Sequence, residues 1–261
     1  MQHVSAHSFA EERRAAIMSM LDRAASVQVS ELARTFGVSA VTIRADLDAL
    51  EADGKLRRTH GGAVSLSRAL TVSIQDKRIN VNVAAALELV DDGDALLIDS
   101  GTTALEFVRT LGARTGITVI TADLTIANYI DESLPGVDVI LLGGALRKGH
   151  RYLFGPLAMR GLEVLHADKA FLCPTSLVPE RGLMTNFEQM AEIKEAFLRA
   201  ARLRVALLDA SKVDAPGLMR FAGLSDIDVL VMDADPDGVA SAAIAALPDG
   251  ARAPRLVCAG A

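Results

Sequence analysis

The sequence predicts a mostly parallel α/β sheet with helices on both faces, preceded by a small winged helix-turn-helix unit. Three observations carry this expectation. Near the N-terminus, short helical stretches are punctuated by Gly37 and Ser39 and lead into a basic hairpin. Beyond residue 80, apolar runs of strand length alternate with helical patterns, which implies parallel strands covered on both faces. Of the 261 residues, 51% are apolar but only 4% aromatic, so a sizeable core must be built from Ala, Leu, Val and Ile.

The elements follow in order. In 11–24, Ile17, Met20 and Leu21 recur at helical spacing, as do Leu32, Ala33 and Phe36 further on. Gly37 breaks the second helix and supplies a tight turn. Ser39 is a good N-cap for a third helix, on which Ile43, Leu47 and Leu50 share one face. Leu56-Arg57-Arg58-Thr59 reads as a strand, Gly61-Gly62 as a turn and Ala63-Val64 as the return. The domain expected here is 1–63. Residues 64–79 are Ser-rich and without clear period and read as a linker with room for a short strand, before an α/β domain over 80–261. Its strands are expected at "ALLI", "ITVIT", "VDVILLGG", "KAFLC", "RVALLD" and "VLVMD". A loop bearing Arg147, Lys148 and Arg151 follows the third, another loop follows the fourth, and a last helix falls near 237–246.

On the third helix, Val41, Thr42, Arg44 and Ala45 lie near the N-terminal end, off the apolar stripe. A recognition helix presents such side chains to base edges in the DNA major groove. Arg44 suits a guanine and the methyls of Val41 or Ala45 suit thymine. Arg57, Arg58 and His60 on the wing are expected at the backbone with Ser39, since phosphate contacts position the protein. The competing reading is a packing unit with a solvated charge pair. Asp46 and Asp48 on the same helix weigh against strong binding. Eight basic and eight acidic residues cancel up to Gly62, so the net charge of −6 arises downstream. Bulk charge therefore excludes a globally basic binder, and affinity must come from a local stripe and two half-sites, that is, from a homodimer or homotetramer.

In open α/β sheets, ligands bind outside the carboxyl ends of the strands. Those ends carry Asp99-Ser100-Gly101-Thr102-Thr103, Thr121, Gly143-Gly144, Thr175 and Lys212, with Arg147 on the loop after the third strand. Hydroxyls, glycines and helix starts suit an anion such as a phosphate, with Lys212 as counter-charge. Each element alone also reads as a cap, a turn or a solvated lysine; agreement among separate strand ends favours the site. No Walker loop and no dinucleotide fingerprint occurs.

These residues carry a resemblance. "RAAIMSMLDRAASVQVSELARTFGVSAVTIRADLDALEADGKLRRTHGGAV" resembles the N-terminal winged helix of DeoR-family bacterial transcription regulators. "DDGDALLIDSGTTALEF", "LLGG", "GPLA", "DKAFL", "RGLMTN", "EIKEAFLRAA", "LLDASK" and "LSDIDVLVMD" resemble that family's effector domain, in order, so that the match spans about residues 11 to 235. The resemblance implies operator DNA as one partner, a phosphorylated carbohydrate-like effector as the other, repression of carbohydrate genes, and a sheet akin to sugar-phosphate isomerases and glucosamine-phosphate deaminases. Three departures stand out. Ala45 replaces a family arginine. The helix before "DGD" is short and lacks a family lysine. The loop after "DKAFL" is Cys173-Pro174-Thr175-Ser176 in place of Gly-Ala-Asp-Gly.

The last departure bears on the alternative, an isomerase- or deaminase-like enzyme with an accessory DNA module. An aldose–ketose isomerase needs a carboxylate base near the substrate carbon. Asp99 and Asp209 remain, both at helix starts, so Asp99 is expected to fix the loop or bind a hydroxyl, and no catalytic residue is assigned. No cofactor is implied, and no cluster has metal-ligand spacing. Cys173 and Cys258 read as small buried hydrophobes in a reducing compartment. The N-terminus shows no signal-peptide pattern and no apolar run is long enough to span a bilayer, so a cytoplasmic protein is expected.

Overall fold

The computed structural model describes residues 6–23, 26–53, 55–59, 61–65 and 83–258. The chain divides into two compact units, Met1–Arg78 and Ile79–Ala261. His60, residues 66–79 of the expected linker and residues 80–82 lie outside the described residues, as do the side chains of Arg57 and Val64.

The first unit comprises α1 (Ala6–Arg23), β1 (Ser26–Gln28), α2 (Val29–Phe36), α3 (Ala40–Ala52), β2 (Leu56–Thr59) and β3 (Gly62–Ser65). Gly37 closes α2 in the left-handed conformation, where a side chain is disfavoured. Ser39 Oγ then accepts the Thr42 amide at 3.1 Å and starts α3. Ile17, Leu21, Leu32, Ile43, Leu47 and Leu50 are core residues, as their helical spacing predicts, and Leu56 of β2 packs with them. Met20, expected among them, is only partly buried. The sheet order is β1-β3-β2, all antiparallel. β1 was not expected, and β3 runs to Ser65, into the stretch read as linker.

The second unit is built on seven parallel strands in the order β15-β14-β12-β9-β4-β5-β6. These are β4 (Ala95–Ile98), β5 (Ile117–Thr121), β6 (Val137–Leu141), β9 (Ala167–Leu172), β12 (Ala201–Leu208), β14 (Val229–Met232) and β15 (Arg255–Cys258). The helices α4 (Val83–Leu87), α5 (Thr102–Thr110), α6 (Leu124–Ser133), α7 (Pro156–Val164), α8 (Glu188–Ala200) and α9 (Val239–Ala245) separate them. Six strands match the apolar runs; β15 is additional. Within the described residues α4 has five residues, and what precedes Val83 lies outside them. Phe107 and Phe171 meet under α5 with ring centroids 4.2 Å apart. Cys173 is buried as expected, but Cys258 on β15 is only partly so.

Two expected loops are ordered strands. After β6 the chain forms a hairpin, β7 (Ala145–Arg147) and β8 (Tyr152–Phe154). After β9 it forms β10 (Ser176–Val178) and β11 (Gly182–Thr185), which join β13 (Met219–Ala222) in an antiparallel three-stranded sheet. The topology also locates a crevice. From β4 the chain winds outward through β5 and β6, then crosses back to β9 and continues the other way. Strand order therefore reverses between β4 and β9, the place where open α/β sheets bind ligands.

Candidate functional site

Asp99 follows β4 and Cys173 follows β9, so both stand at the reversal. Asp99 Oδ1 accepts the Ser100 amide at 2.8 Å, while Oδ2 accepts the Cys173 amide at 2.8 Å. Lys194 of α8 completes the arrangement. Its ammonium donates to Asp99 Oδ2 and to the Cys173 carbonyl, the latter at 3.0 Å, and lies 5.4 Å from the Phe221 ring centroid. Both side chains are almost wholly buried. A lone buried charge is costly, and here each is matched by the other and by main-chain groups. Asp99 thus holds the two strand ends together.

Asp123 performs a parallel task one strand away. Its Oδ1 caps α6 by accepting the amides of Thr125 (2.7 Å) and Ile126 (3.2 Å), and its Oδ2 accepts the Gly101 amide at 3.3 Å. Burial raises its pKa above the usual carboxylate range, and the three amides oppose that rise. The loop 99–103 is therefore riveted at both ends. The first helical bond of α5 is from the Leu105 amide to the Gly101 carbonyl, 3.0 Å; the Ala104 amide is turned to Cys173, and the amides of Thr102 and Thr103 stand at the helix start, where an anion would be received.

The β7–β8 hairpin stands at the end of β5. The Leu124 amide bonds the Arg151 carbonyl and the Leu153 amide bonds the Ala122 carbonyl, each at 2.8 Å. Arg147 donates to the Tyr152 hydroxyl at 2.6 Å, and its guanidinium carbon lies 3.8 Å from the Phe187 ring centroid. The Tyr152 hydroxyl is harder to ionise than usual because it is buried; Arg147 opposes that effect and the charge of Asp99 adds to it. The Cys173 thiol is pushed up to about 12, first by burial and then by Asp99, against the fields of Lys194 and Lys212. Asp99, Tyr152, Cys173, Lys194 and Lys212 accordingly share one electrostatic neighbourhood.

The structure thus brings together Asp99, Ser100, Gly101, Thr102, Thr103, Arg147 and Lys212. Several expected ligand groups are otherwise employed. Thr121 has no exposed surface, and its hydroxyl accepts the Asp123 amide at 3.1 Å. Thr175 is exposed, but its hydroxyl donates to the Met184 carbonyl at 3.0 Å. Gly144 adopts φ +145° with its Cα pressed to β8, where a Cβ would sit 2.4 Å from the Phe154 carbonyl oxygen; with Gly143 it shapes the hairpin. Lys194, Tyr152 and Phe187 were missed, and Asp123, at an expected strand end, was given no role. Lys194 did leave a signal: it lies on the α8 stripe with Met190, Ile193 and Phe197, where solvated lysines do not belong. An open hollow of 490 Å³ against the three-stranded sheet, lined in part by Arg181, Met184 and Arg220, shares no residue with this crevice.

In the first unit, Val41 is 70% exposed and Arg44 and Ala45 face solvent, while Thr42 bonds Ser39. Two expectations change. Asp46 is buried and bonded by Arg13 (2.5 Å) and Arg14 (3.0 Å) of α1, so it does not oppose DNA on the exposed face. Arg58 turns back onto α3, where its guanidinium pairs with Asp48 and donates to the Arg44 carbonyl at 3.3 Å. It buttresses the recognition helix more directly than it offers a phosphate contact.

Known proteins share both units. The DeoR-like helix-turn-helix domain matches residues 13–69, and the DeoR C terminal sensor domain matches 79–234. The chain belongs to the DeoR family of transcriptional regulators. It is 33% identical over 232 residues to a putative aga operon transcriptional repressor of Escherichia coli O157:H7, covering 85% of this chain and 86% of that one. It is 31% identical over 239 residues to the transcriptional repressor GlcR of Bacillus subtilis, covering 88% and 90%. The transcriptional repressor AccR of Agrobacterium fabrum is 31% identical over 231 residues, covering 85% and 89%. Among the described residues of this DeoR-family chain, no helix is long and apolar enough to cross a membrane.

Proposed function

We propose that this DeoR-family chain is a cytoplasmic repressor of carbohydrate genes. It reads operator DNA with Val41, Thr42 and Arg44 and senses a phosphorylated, sugar-like effector at the β4–β9 crevice. The amides of Thr102 and Thr103 at the start of α5 and the hydroxyls of Ser100 and Thr102 take the phosphate, and Arg147 and Lys212 supply charge. The observation that carries a sensor over an enzyme is the state of the two crevice carboxylates. Asp99 and Asp123 are buried and their oxygens are filled by main-chain amides and Lys194. Neither is free to reach a substrate carbon, as general-base catalysis requires.

Thermal-shift screening with sugar phosphates tests this reading, because a ligand of the native state stabilises it by mass action. A responding sugar phosphate should also alter operator affinity, since coupling requires differential binding to two states. Lys212→Ala should weaken that response and leave effector-free operator binding intact. Turnover of the same sugar phosphate would replace the sensor with the isomerase reading.

A further inference from the structure

Arg147 and Lys212 are the two crevice cations without a carboxylate partner among the described residues, and they are held differently. The Lys212 ammonium has no hydrogen-bond partner, whereas Arg147 is placed by the fold. Arg147 ends β7 opposite Tyr152 of β8, and Tyr152 is bridged antiparallel to Asp123, just after β5. Residues directly opposite on neighbouring strands share a face, so Arg147, Tyr152 and Asp123 stand in a row with their side chains on one side. One end of the row is fixed: Asp123 Oδ2 accepts the Gly101 amide, in the loop that leads into α5. Two strand spacings, about 10 Å, separate the main chain of Arg147 from that end.

The guanidinium itself is set from two sides. Nη1 donates to the Tyr152 hydroxyl at 2.6 Å, and the guanidinium carbon lies 3.8 Å from the Phe187 ring centroid. That ring is steadied in turn by Phe154, at 5.8 Å and nearly perpendicular, and by Tyr152 at 6.2 Å. The Nε and Nη2 groups have no hydrogen-bond partner among the described residues. They form the edge with which an arginine grips two oxygens of one anion. A mere clamp between the hairpin and α8 would use the face of the guanidinium and leave this edge without a task.

We propose that Arg147, set in place by Phe187 and Tyr152, is a second anion station, and that the effector carries an anionic group at each end: a phosphate at the start of α5, and a carboxylate or second phosphate on Arg147. This rests on the effector reading above, and turns the charge supplied by Arg147 into a contact of its own. Lys212 is left to the phosphate. Phe187 touches neither end of the effector and acts as a positioning residue, through Arg147.

Inorganic phosphate separates the stations, because one ion is too small to span them. In NMR titrations of the isotope-labelled full chain, phosphate should shift the backbone amides of Thr102 and Thr103 and the side-chain Nε–H of Arg147. Phe187→Leu should weaken the Arg147 response by about tenfold and leave the Thr102 and Thr103 responses as they were. Phe187→Tyr keeps the ring and should keep the response. Titration with acetate tells the two chemistries apart: whichever anion shifts Arg147 at the lower concentration identifies the group at that end. Circular dichroism establishes that the variants fold. An Arg147 signal unmoved by both anions, or a wild-type Arg147 response in Phe187→Leu, would overturn the second station. So would joint weakening of all the responses in Phe187→Leu, which would mean one shared phosphate. The cradle at α5 survives each of these results. Movement at Arg147 with silence at Thr102 and Thr103 would instead overturn that cradle and leave Arg147 as an anion site.

Discussion

Asp46 in the first unit and Asp99 in the second are both buried carboxylates beside a proposed binding surface, and each serves as an anchor. Their partners differ. Asp46 is held by two arginines that retain side-chain exposures of 15% and 32%. Asp99 is held by one lysine and two main-chain amides, and Lys194 is 3% exposed. The arginine clamp keeps water within reach of its cations, so losing one group leaves the others partly solvated. The lysine tie has no such reserve. The proposed recognition helix and the proposed effector crevice are therefore fastened by the same chemistry at different depths, and the deeper fastening is the less replaceable.

The comparison predicts an order of effects. Lys194→Met leaves Asp99 charged and unpaired in a dry site, and should cost about 3–5 kcal/mol in urea denaturation of the second unit. The double variant with Asp99→Asn should recover part of that loss, because no charge is then stranded. Asp46→Ala should cost the first unit less, about 1–3 kcal/mol, since Arg13 and Arg14 turn to water. An equal cost at the two sites would refute the distinction by depth.

On the DNA face, Arg44→Ala should weaken operator binding by about 1–3 kcal/mol and relax preference at one base pair. Arg58→Ala should act mainly through the stability of the first unit, because its guanidinium is engaged by Asp48 and the Arg44 carbonyl. A gel-shift titration ranks the two; a larger direct loss for Arg58 would return it to the phosphate backbone. The smallest effect is chemical. With its pKa pushed up to about 12, Cys173 should resist alkylation at pH 8 in the folded protein and react once the protein is denatured. Rapid modification of native Cys173 would mean that the crevice is wetter than its geometry shows.

These anchors explain how far the sequence could be read. The helical stripes of Ile17, Leu21, Ile43 and Leu47, the Ser39 cap and the Asp99–Thr103 corner are local patterns, and they marked both units. β1 spans three residues, too few for a period to show. The β10–β11–β13 sheet is likewise built of short strands, and its third member is distant in sequence. The Asp99–Lys194 pair joins residues 95 apart, so only the misplaced lysine on an apolar stripe hinted at it. Asp46 and Arg58 misled for the same reason: their charges were visible, but the partners that absorb them were not. Thr121 and Gly144 stood at the right strand ends with their groups turned to structural tasks.

One consequence lies in how the β7–β8 hairpin is attached. It is hung from the end of β5 by main-chain bonds at Leu124 and Leu153, so its footing does not depend on which side chains it carries. The tip, Lys148-Gly149-His150-Arg151, is in effect an exchangeable faceplate on a fixed mount. If the crevice holds the proposed effector, the tip's chemistry can be rewritten to suit a new one while the cradle beneath, fastened by Asp99 and Asp123, stays as it is. Selectivity and grip are thereby separated in one small region of chain.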